Sequence, residues 1–275
     1  MNSRLTPGDI RAFRKTVYAY FDHHGRDLPW RRTSQPYHIL VSEIMLQQTQ
    51  VDRVVGKFLA FIDKFPTVND LAAASMNEVL SAWQGLGYNR RGMNLKRCAA
   101  TLAESFGGKV PDSPDELVTL PGIGPATSRS IAAFAFDKPV VFIETNIRSV
   151  YLHHFFEDQS AISDAKLLPL VAQTLDKRQP RTWYSALMDY GVYLKKRYGN
   201  PSRRSVHHQT QSRFDGSDRQ IRGEILRLLL KHTSRTRRQI VKHIGVRTER
   251  TERILYALVK DGLLVATEMR YYIGE

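Results

Sequence analysis

The chain has 275 residues, of which 42% are hydrophobic and 25% charged, and a formal net charge of +14. Those values suit one large or two modest folded domains, exclude wholesale disorder, and point to an anionic partner, nucleic acid being the commonest. The single cysteine, Cys98, excludes an internal disulfide and a cysteine-built zinc or iron–sulfur centre. No apolar run reaches the ~18 residues of a membrane span, and Met1-Asn2-Ser3-Arg4-Leu5-Thr6-Pro7 has no apolar stretch of the secretory kind, so neither a membrane nor export is expected.

Most of the chain reads as helix. Thr6 can cap a first helix that opens on Pro7 and ends at Gly25, with Ile10, Phe13, Val17, Tyr20 and Phe21 on one face. A second starts near His38 and runs through Leu46, and others fit 51–65, 68–74, 76–83, 91–106, 114–119, 125–136, 146–154 and 181–196. Residues 197–215 are polar and basic, as a linker would be. Helices then fit 219–231, 236–243 and 248–260, with a turn at Gly245 and Gly262 just past the last one. Two strand-like runs, 263–265 and 270–273, complete the pattern of a winged helix. The last 75 residues hold 16 basic and 8 acidic side chains, so positive charge is densest there. The expected organisation is a helical core over 1–200, a linker over 201–216 and a winged helix over 217–275.

Three segments could carry chemistry. In Leu120-Pro121-Gly122-Ile123-Gly124 two glycines precede a helix start, where backbone N–H groups and the helix dipole suit a phosphate. A plain turn between packed helices fits equally. Glu43 stands inside the apolar run Leu40-Val41-Ser42-Glu43-Ile44-Met45-Leu46, where desolvation would favour a protonated general acid, or where it could simply face solvent or an ion-pair partner. Glu144 ends the apolar run Val140-Val141-Phe142-Ile143 just before a helix that Thr145 or Asn146 can cap; it is either an anion stabilised there or part of the cap. A proton donor paired with an anionic stabiliser is what cleavage of a glycosidic C–N bond requires.

The segments Leu28-Pro29-Trp30-Arg31, Ser42-Glu43-Ile44-Met45-Leu46-Gln47-Gln48-Thr49-Gln50-Val51, Phe65-Pro66-Thr67-Val68, Gly85-Leu86-Gly87-Tyr88, Leu120-Pro121-Gly122-Ile123-Gly124 and Met188-Asp189-Tyr190-Gly191 occur in one order over roughly 160 residues. In this the chain resembles the helix–hairpin–helix DNA glycosylases, in particular their adenine-DNA glycosylase (MutY-type) branch. The resemblance implies an all-α fold of two helical lobes that grip double-stranded DNA and flip a nucleotide out of the stack. It implies that Glu43 protonates the base, that Asn146 supports a catalytic carboxylate at position 144, and that Trp30 and Arg31 wall the base pocket. Gln48 and Thr49, with Leu86 and Tyr88 in a second loop, would probe the DNA. Gly122 and Gly124 would meet phosphate, and the carbonyls of Val118, Leu120 and Ile123 would hold a sodium or potassium ion.

Four departures from that pattern shape the expectation. Glu144 stands where the family has aspartate, one methylene longer, so it must fold back, or the sugar must sit further away, to make the same contact. Ala126 occupies the position of the imine-forming lysine of bifunctional relatives, so no β-lyase step is expected. Val192-Tyr193-Leu194-Lys195-Lys196 stands where the four-cysteine loop begins, so no iron–sulfur cluster is expected and no other cofactor is required; Lys195 and Lys196 would take over phosphate contacts. The winged helix replaces the family's usual reader of 8-oxoguanine, with Arg247, Arg250 and Arg253 spaced to meet DNA from one helix face. The expectation is a monomeric, cytoplasmic, nucleoid-associated glycosylase acting on mismatched or damaged duplex DNA. Its favoured substrate is adenine opposite guanine or 8-oxoguanine, with thymine or uracil opposite guanine as the alternative substrates and a non-catalytic lesion binder as the alternative class.

Overall fold

A computed structural model describes residues 4–210 and 213–275. Residues 1–3 of the expected leaderless start, and 211–212 of the expected linker, lie outside the described residues. The helices, in chain order, are α1 (Pro7–His24), α2 (Pro36–Leu46), α3 (Val51–Lys64), α4 (Val68–Ala73), α5 (Met76–Trp83), α6 (Arg90–Ser105) and α7 (Pro114–Leu117). They continue as α8 (Pro125–Phe136), α9 (Thr145–Phe155), α10 (Asp164–Thr174), α11 (Pro180–Tyr198), α12 (Asp218–His232), α13 (Arg237–Ile244) and α14 (Thr248–Lys260). Three short strands, β1 (Ser234–Arg235), β2 (Leu264–Ala266) and β3 (Tyr271–Ile273), form an antiparallel sheet in the order β1-β3-β2. The all-α fold with a small β-wing is as expected.

Local chemistry sets many of these limits. Thr6 caps α1 in a reciprocal box with Asp9, as Thr67 does with Asp70, Ser75 with Glu78 and Thr236 with Gln239. Among these α-helices and strands, α10 and β1 are additions to the sequence reading. Helix α10 has a clear buried face in Leu167, Leu170, Val171 and Thr174, but Pro169 inside it removes a backbone donor and argues against a helix. Strand β1 is two residues long, too short to show a period, and exists through its pairing with Tyr271 and Tyr272.

The chain forms two compact units. The first comprises Met1–Leu40, Asp112–Val118 and Ile123–Thr210. Its centre is the packing of α9 on α11. Phe13 of α1 lies within 5.3 Å of Tyr151 and 5.9 Å of Trp183, centroid to centroid, and Arg14 ties α1 to the carbonyls of Thr174 and Leu175. Gly191 permits the α9–α11 approach: a Cβ there would collide with the backbone of Asn146.

The second unit comprises Val41–Pro111, Thr119–Gly122 and Gln211–Glu275. It joins α3 to α6 with the winged helix. Ile225 and Leu229 of α12, Ile240 of α13, Leu255 and Leu258 of α14, and Leu263 share one hydrophobic cluster with Met76 and Leu80 of α5 and Met93 of α6. Each such side chain contributes ~1.5–3 kcal/mol on burial. The winged helix thus shares a core with the preceding helices, whereas the sequence reading sets 217–275 apart as a domain of its own.

Candidate active site

In the first unit, Glu144 is the N-cap of α9. Its Oε1 accepts from the backbone N–H of Asn146 (2.7 Å) and of Ile147 (3.0 Å), and Oε2 accepts from Nδ2 of Asn146 (3.3 Å). Of the cap candidates that the sequence offers, Glu144 takes the position, while Thr145 and Asn146 lie inside the helix. The longer glutamate chain folds back on its own helix start, where unpaired N–H groups and the dipole favour a negative charge. Lys195, from α11, donates its Nζ to Oδ1 of Asn146 at 2.8 Å. Burial pulls the Lys195 pKa below its ordinary value, against the opposing pull of the Glu144 carboxylate. The Asn146 amide is therefore held at both ends, its oxygen by a cation and its nitrogen on an anion.

In the second unit, Glu43 sits on α2 between the buried Ser42 and Ile44, itself only partly exposed. Its neighbours Val41 and Met45 are fully covered, so the carboxylate is the partly exposed group in a buried stretch of α2. The end of α2 is fastened by Arg91. One guanidinium nitrogen donates to the carbonyls of Ile44 (3.0 Å), Met45 (2.9 Å) and Gln47; the other reaches Oγ1 of Thr49 (2.9 Å) and the carbonyls of Leu86 and Gly87 (3.3 Å each). The guanidinium also lies 5.5 Å from the Trp83 ring centroid and 5.4 Å from that of Tyr88. Burial lowers its pKa to about 10. Arg91 thereby joins the two loops that carry Gln48 and Tyr88, and both residues adopt left-handed backbone, with φ of 54° and 48°. For non-glycine residues that costs ~1–2 kcal/mol each, a strain typical of functional loops.

The hairpin turn has the geometry its glycines suggest. Gly122 has φ of 83°, its carbonyl accepts from Gln47, and a Cβ would press on Asn94. Gly124 is the N-cap of α8, with open space where a side chain would be. The side chains of Leu120 and Ile123 are buried and that of Val118 is exposed.

Residues 41–172 match the family described as HhH-GPD superfamily base excision DNA repair protein. The chain is 37% identical over 272 residues to an adenine DNA glycosylase of Mycolicibacterium smegmatis, covering 91% of this chain and 92% of that one. The chain belongs to the HhH-GPD superfamily, in its adenine DNA glycosylase branch. The uncovered 9% of this chain is smaller than the stretch from α12 onward, so the match extends into that stretch. The human adenine DNA glycosylase, 34% identical, matches 67% of this chain but 36% of its own length. Among solved structures, a thermostable thymine-DNA glycosylase superposes with a TM-score of 0.59 at 25% identity, covering 66% of this chain and 86% of that one.

Several residues that the family pattern marks have partners within this HhH-GPD protein. Arg31 forms a double contact with Asp189 (2.8 and 2.9 Å) and donates to the carbonyls of Arg26 and Ser185. Burial raises the Asp189 pKa, but the bonds and charges of Arg31 and Arg26 outweigh it and hold the carboxyl below its usual range. Trp30 is buried beside that lock, its carbonyl approached by Arg181. Leu86 is also buried, so it anchors its loop and leaves Tyr88 as the more exposed residue. Thr49 is occupied by Arg91. Lys195 turns inward to Asn146 where a phosphate contact was expected, while Lys196 stays exposed. Arg250 and Arg253 both pair with Asp218 (2.7 and 2.8 Å), which offsets part of their charge; Arg247, at the N-cap of α14, is exposed. Sequence reasoning passed over Arg91 and the inward role of Lys195, because the partners of Arg91 at the end of α2 and at Thr49 lie 42–47 residues away and that of Lys195 lies 49 away.

Proposed function

We propose that this HhH-GPD protein excises adenine mispaired with guanine or 8-oxoguanine from duplex DNA, leaving an abasic site. Glu43 donates a proton to the extruded purine, weakening the C1′–N bond. As that bond breaks, its electron pair leaves with the base and C1′ becomes cationic; water then adds to C1′ and gives up a proton. Glu144 stabilises the cation, and Asn146 fixes the direction of its carboxylate. Ala126 provides no amine, so strand cleavage is not part of the reaction. The observation that carries the reading is the preformed Glu144–Asn146–Lys195 chain, an oriented anion of the kind an oxocarbenium-like transition state requires. Gln48, Tyr88, Lys196, Arg247 and the amides at Gly122 and Gly124 supply DNA contacts. The carbonyls of Val118, Leu120 and Ile123 suit a sodium or potassium ion beside a phosphate, and the single cysteine leaves an iron–sulfur cluster without ligands. We place the protein as a monomer on cytoplasmic, nucleoid-associated DNA.

The test is incubation with end-labelled duplexes carrying A:8-oxoguanine, A:G, T:G and U:G, followed by alkali. Adenine-strand breaks that appear only after alkali, and vanish in Glu43→Gln and Glu144→Gln, are expected. Breaks without alkali, or excision of thymine or uracil in preference to adenine, would overturn the reading. One observation favours a second reading: the Glu144 carboxylate already bonds its own helix. Tight lesion binding with no abasic product would make the protein a sensor.

A further inference from the structure

Residues 231–247 of the winged helix hold six lysines and arginines and two histidines, but no aspartate or glutamate. The ion pairs of the module tie Arg222 to Asp261, Arg237 to Glu252, and both Arg250 and Arg253 to Asp218. Among the described residues, Lys231, Arg235, Arg238, Lys242 and Arg270 enter no ion pair. Helix α14, which a helix-turn-helix would present to DNA, has two of its arginines paired and also bears Glu249 and Glu252. The uncompensated cations lie elsewhere in the module.

They gather where α12, α13 and the sheet meet. Strand β1 joins the end of α12 to the start of α13, and its Arg235 lies opposite Tyr271 of β3. Arg270, just before β3, donates to Oγ of Ser234 at 2.8 Å, which brings it beside Arg235. Lys231 and His232 stand in the last turn of α12, and Lys242 and His243 in that of α13. Slight burial and the nearby charges of Arg235, Lys231 and His243 lower the His232 pKa. Lys231, Arg238, Lys242, His243 and Arg270 are exposed. A cation in the last turn complements the helix dipole, which accounts for Lys231, His232, Lys242 and His243. It does not account for Arg235 and Arg270 on the sheet. Nor does it account for Arg238, in the first turn of α13, where a cation opposes the dipole. Like charges crowded together, one of them at the wrong helix end, call for an anion from outside the chain.

We propose that this face, made by the end of α12, β1, α13 and the start of β3, holds the phosphate backbone of double-stranded DNA away from the lesion and without regard to sequence. The proposal rests on the glycosylase reading only in taking duplex DNA as the anion. A duplex carries one charge per ~1.7 Å of its axis, which suits a spread of separate cations. The module shares a core with Met76, Leu80 and Met93, so the face is held fixed relative to the rest of the second unit. A second grip of this kind raises affinity for any duplex and keeps the protein on undamaged DNA between lesions.

Fluorescence anisotropy of the full chain with an undamaged duplex, over a series of KCl concentrations, tests this. Each phosphate contact contributes about 0.9 to the steepness of log affinity against log salt. The triple variant Arg235→Gln, Arg238→Gln, Lys242→Gln should therefore lower that steepness by about 2–3. Binding at ~0.1 M salt should weaken at least ~10-fold, by the same factor for a duplex with a tetrahydrofuran abasic analogue. If thermal melting shows the triple variant unfolded, the exposed pair Arg238→Gln, Lys242→Gln replaces it, with a fall of about 1–2 expected. The pair Arg250→Gln, Arg253→Gln on α14 should change the steepness by less than about 1, because Asp218 already neutralises part of that charge. A steepness unchanged by the folded variants, a larger fall in the α14 pair, or a loss confined to the abasic duplex overturns the proposal. So does tighter binding of polyglutamate than of duplex, which would mark the face for an acidic protein. Single-turnover adenine excision at saturating protein should stay within about twofold of the parent in the variants, and a larger loss would assign these residues to the reaction instead. Absence of excision in the parent would sink the glycosylase reading alone, since the salt dependence is read without catalysis.

Discussion

Glu144 couples catalysis to helix capping, and three substitutions separate the two. Glu144→Ala removes the acceptor for the N–H groups of Asn146 and Ile147. Loss of an N-cap costs ~1 kcal/mol and loss of the charge at the helix start another ~0.3–1 kcal/mol. For a chain of this size each kcal/mol lowers Tm by ~2–4 °C, so a fall of roughly 3–8 °C is expected. Glu144→Asp keeps a favoured capping residue and should melt within ~2 °C of the parent. Glu144→Gln keeps the shape but not the charge, and by the scale of electrostatic stabilisation should lose ~10²–10³ in excision rate. The assays are single-turnover excision of adenine from an A:8-oxoguanine duplex and differential scanning calorimetry. Excision by Glu144→Gln within threefold of the parent would refute the anionic role, and an unchanged Tm for Glu144→Ala would refute the capping role.

Lys195→Met removes a charged donor from Oδ1 of Asn146, an interaction worth ~1.5–3 kcal/mol, and should slow excision by at least ~10-fold at unchanged DNA affinity; equal losses in affinity would instead make Lys195 a phosphate contact. Arg91→Leu strands the carbonyls at the end of α2 and should cost ~3–5 kcal/mol in urea unfolding, since two or three charge-assisted bonds are lost outright; a cost below ~1 kcal/mol would show that water replaces it. His154, beside His153 and bonded to the Tyr190 hydroxyl, has its pKa lowered by burial from 6.5 to about 4. The fold thus prefers the neutral ring: this contribution is complete above pH 6.5 and is lost as pH falls through about 4. An NMR titration should give a His154 midpoint near 4, and a midpoint near 6.5 would contradict the packing.

What was legible in the sequence was local. Helices 76–83, 125–136 and 248–260 have the limits their caps, prolines and glycines dictate, and Gly122 takes the left-handed turn expected of it. Pro169 hid α10, because its cost is local while the compensating burial of Leu167 and Val171 is not. Glu144 was legible as a carboxylate at a helix start and as a candidate for its cap, but which of these roles it takes rests on its bonds to Asn146 and Ile147, which only the folded backbone shows. Arg31 shows the same limit: its motif is plain, yet its charge is spent on Asp189, 158 residues away. Long-range hydrogen bonds leave no period in a sequence.

The cluster that Met76, Leu80 and Met93 form with the winged helix makes the C-terminal module hard to detach. A chain stopped before α12 would present those three side chains to water as a sticky apolar face. Exchange of this module for another reader would then require a new hydrophobic lining on the host as well as a new cargo. Any such replacement is a joint redesign of two surfaces, not the swap of a tethered accessory.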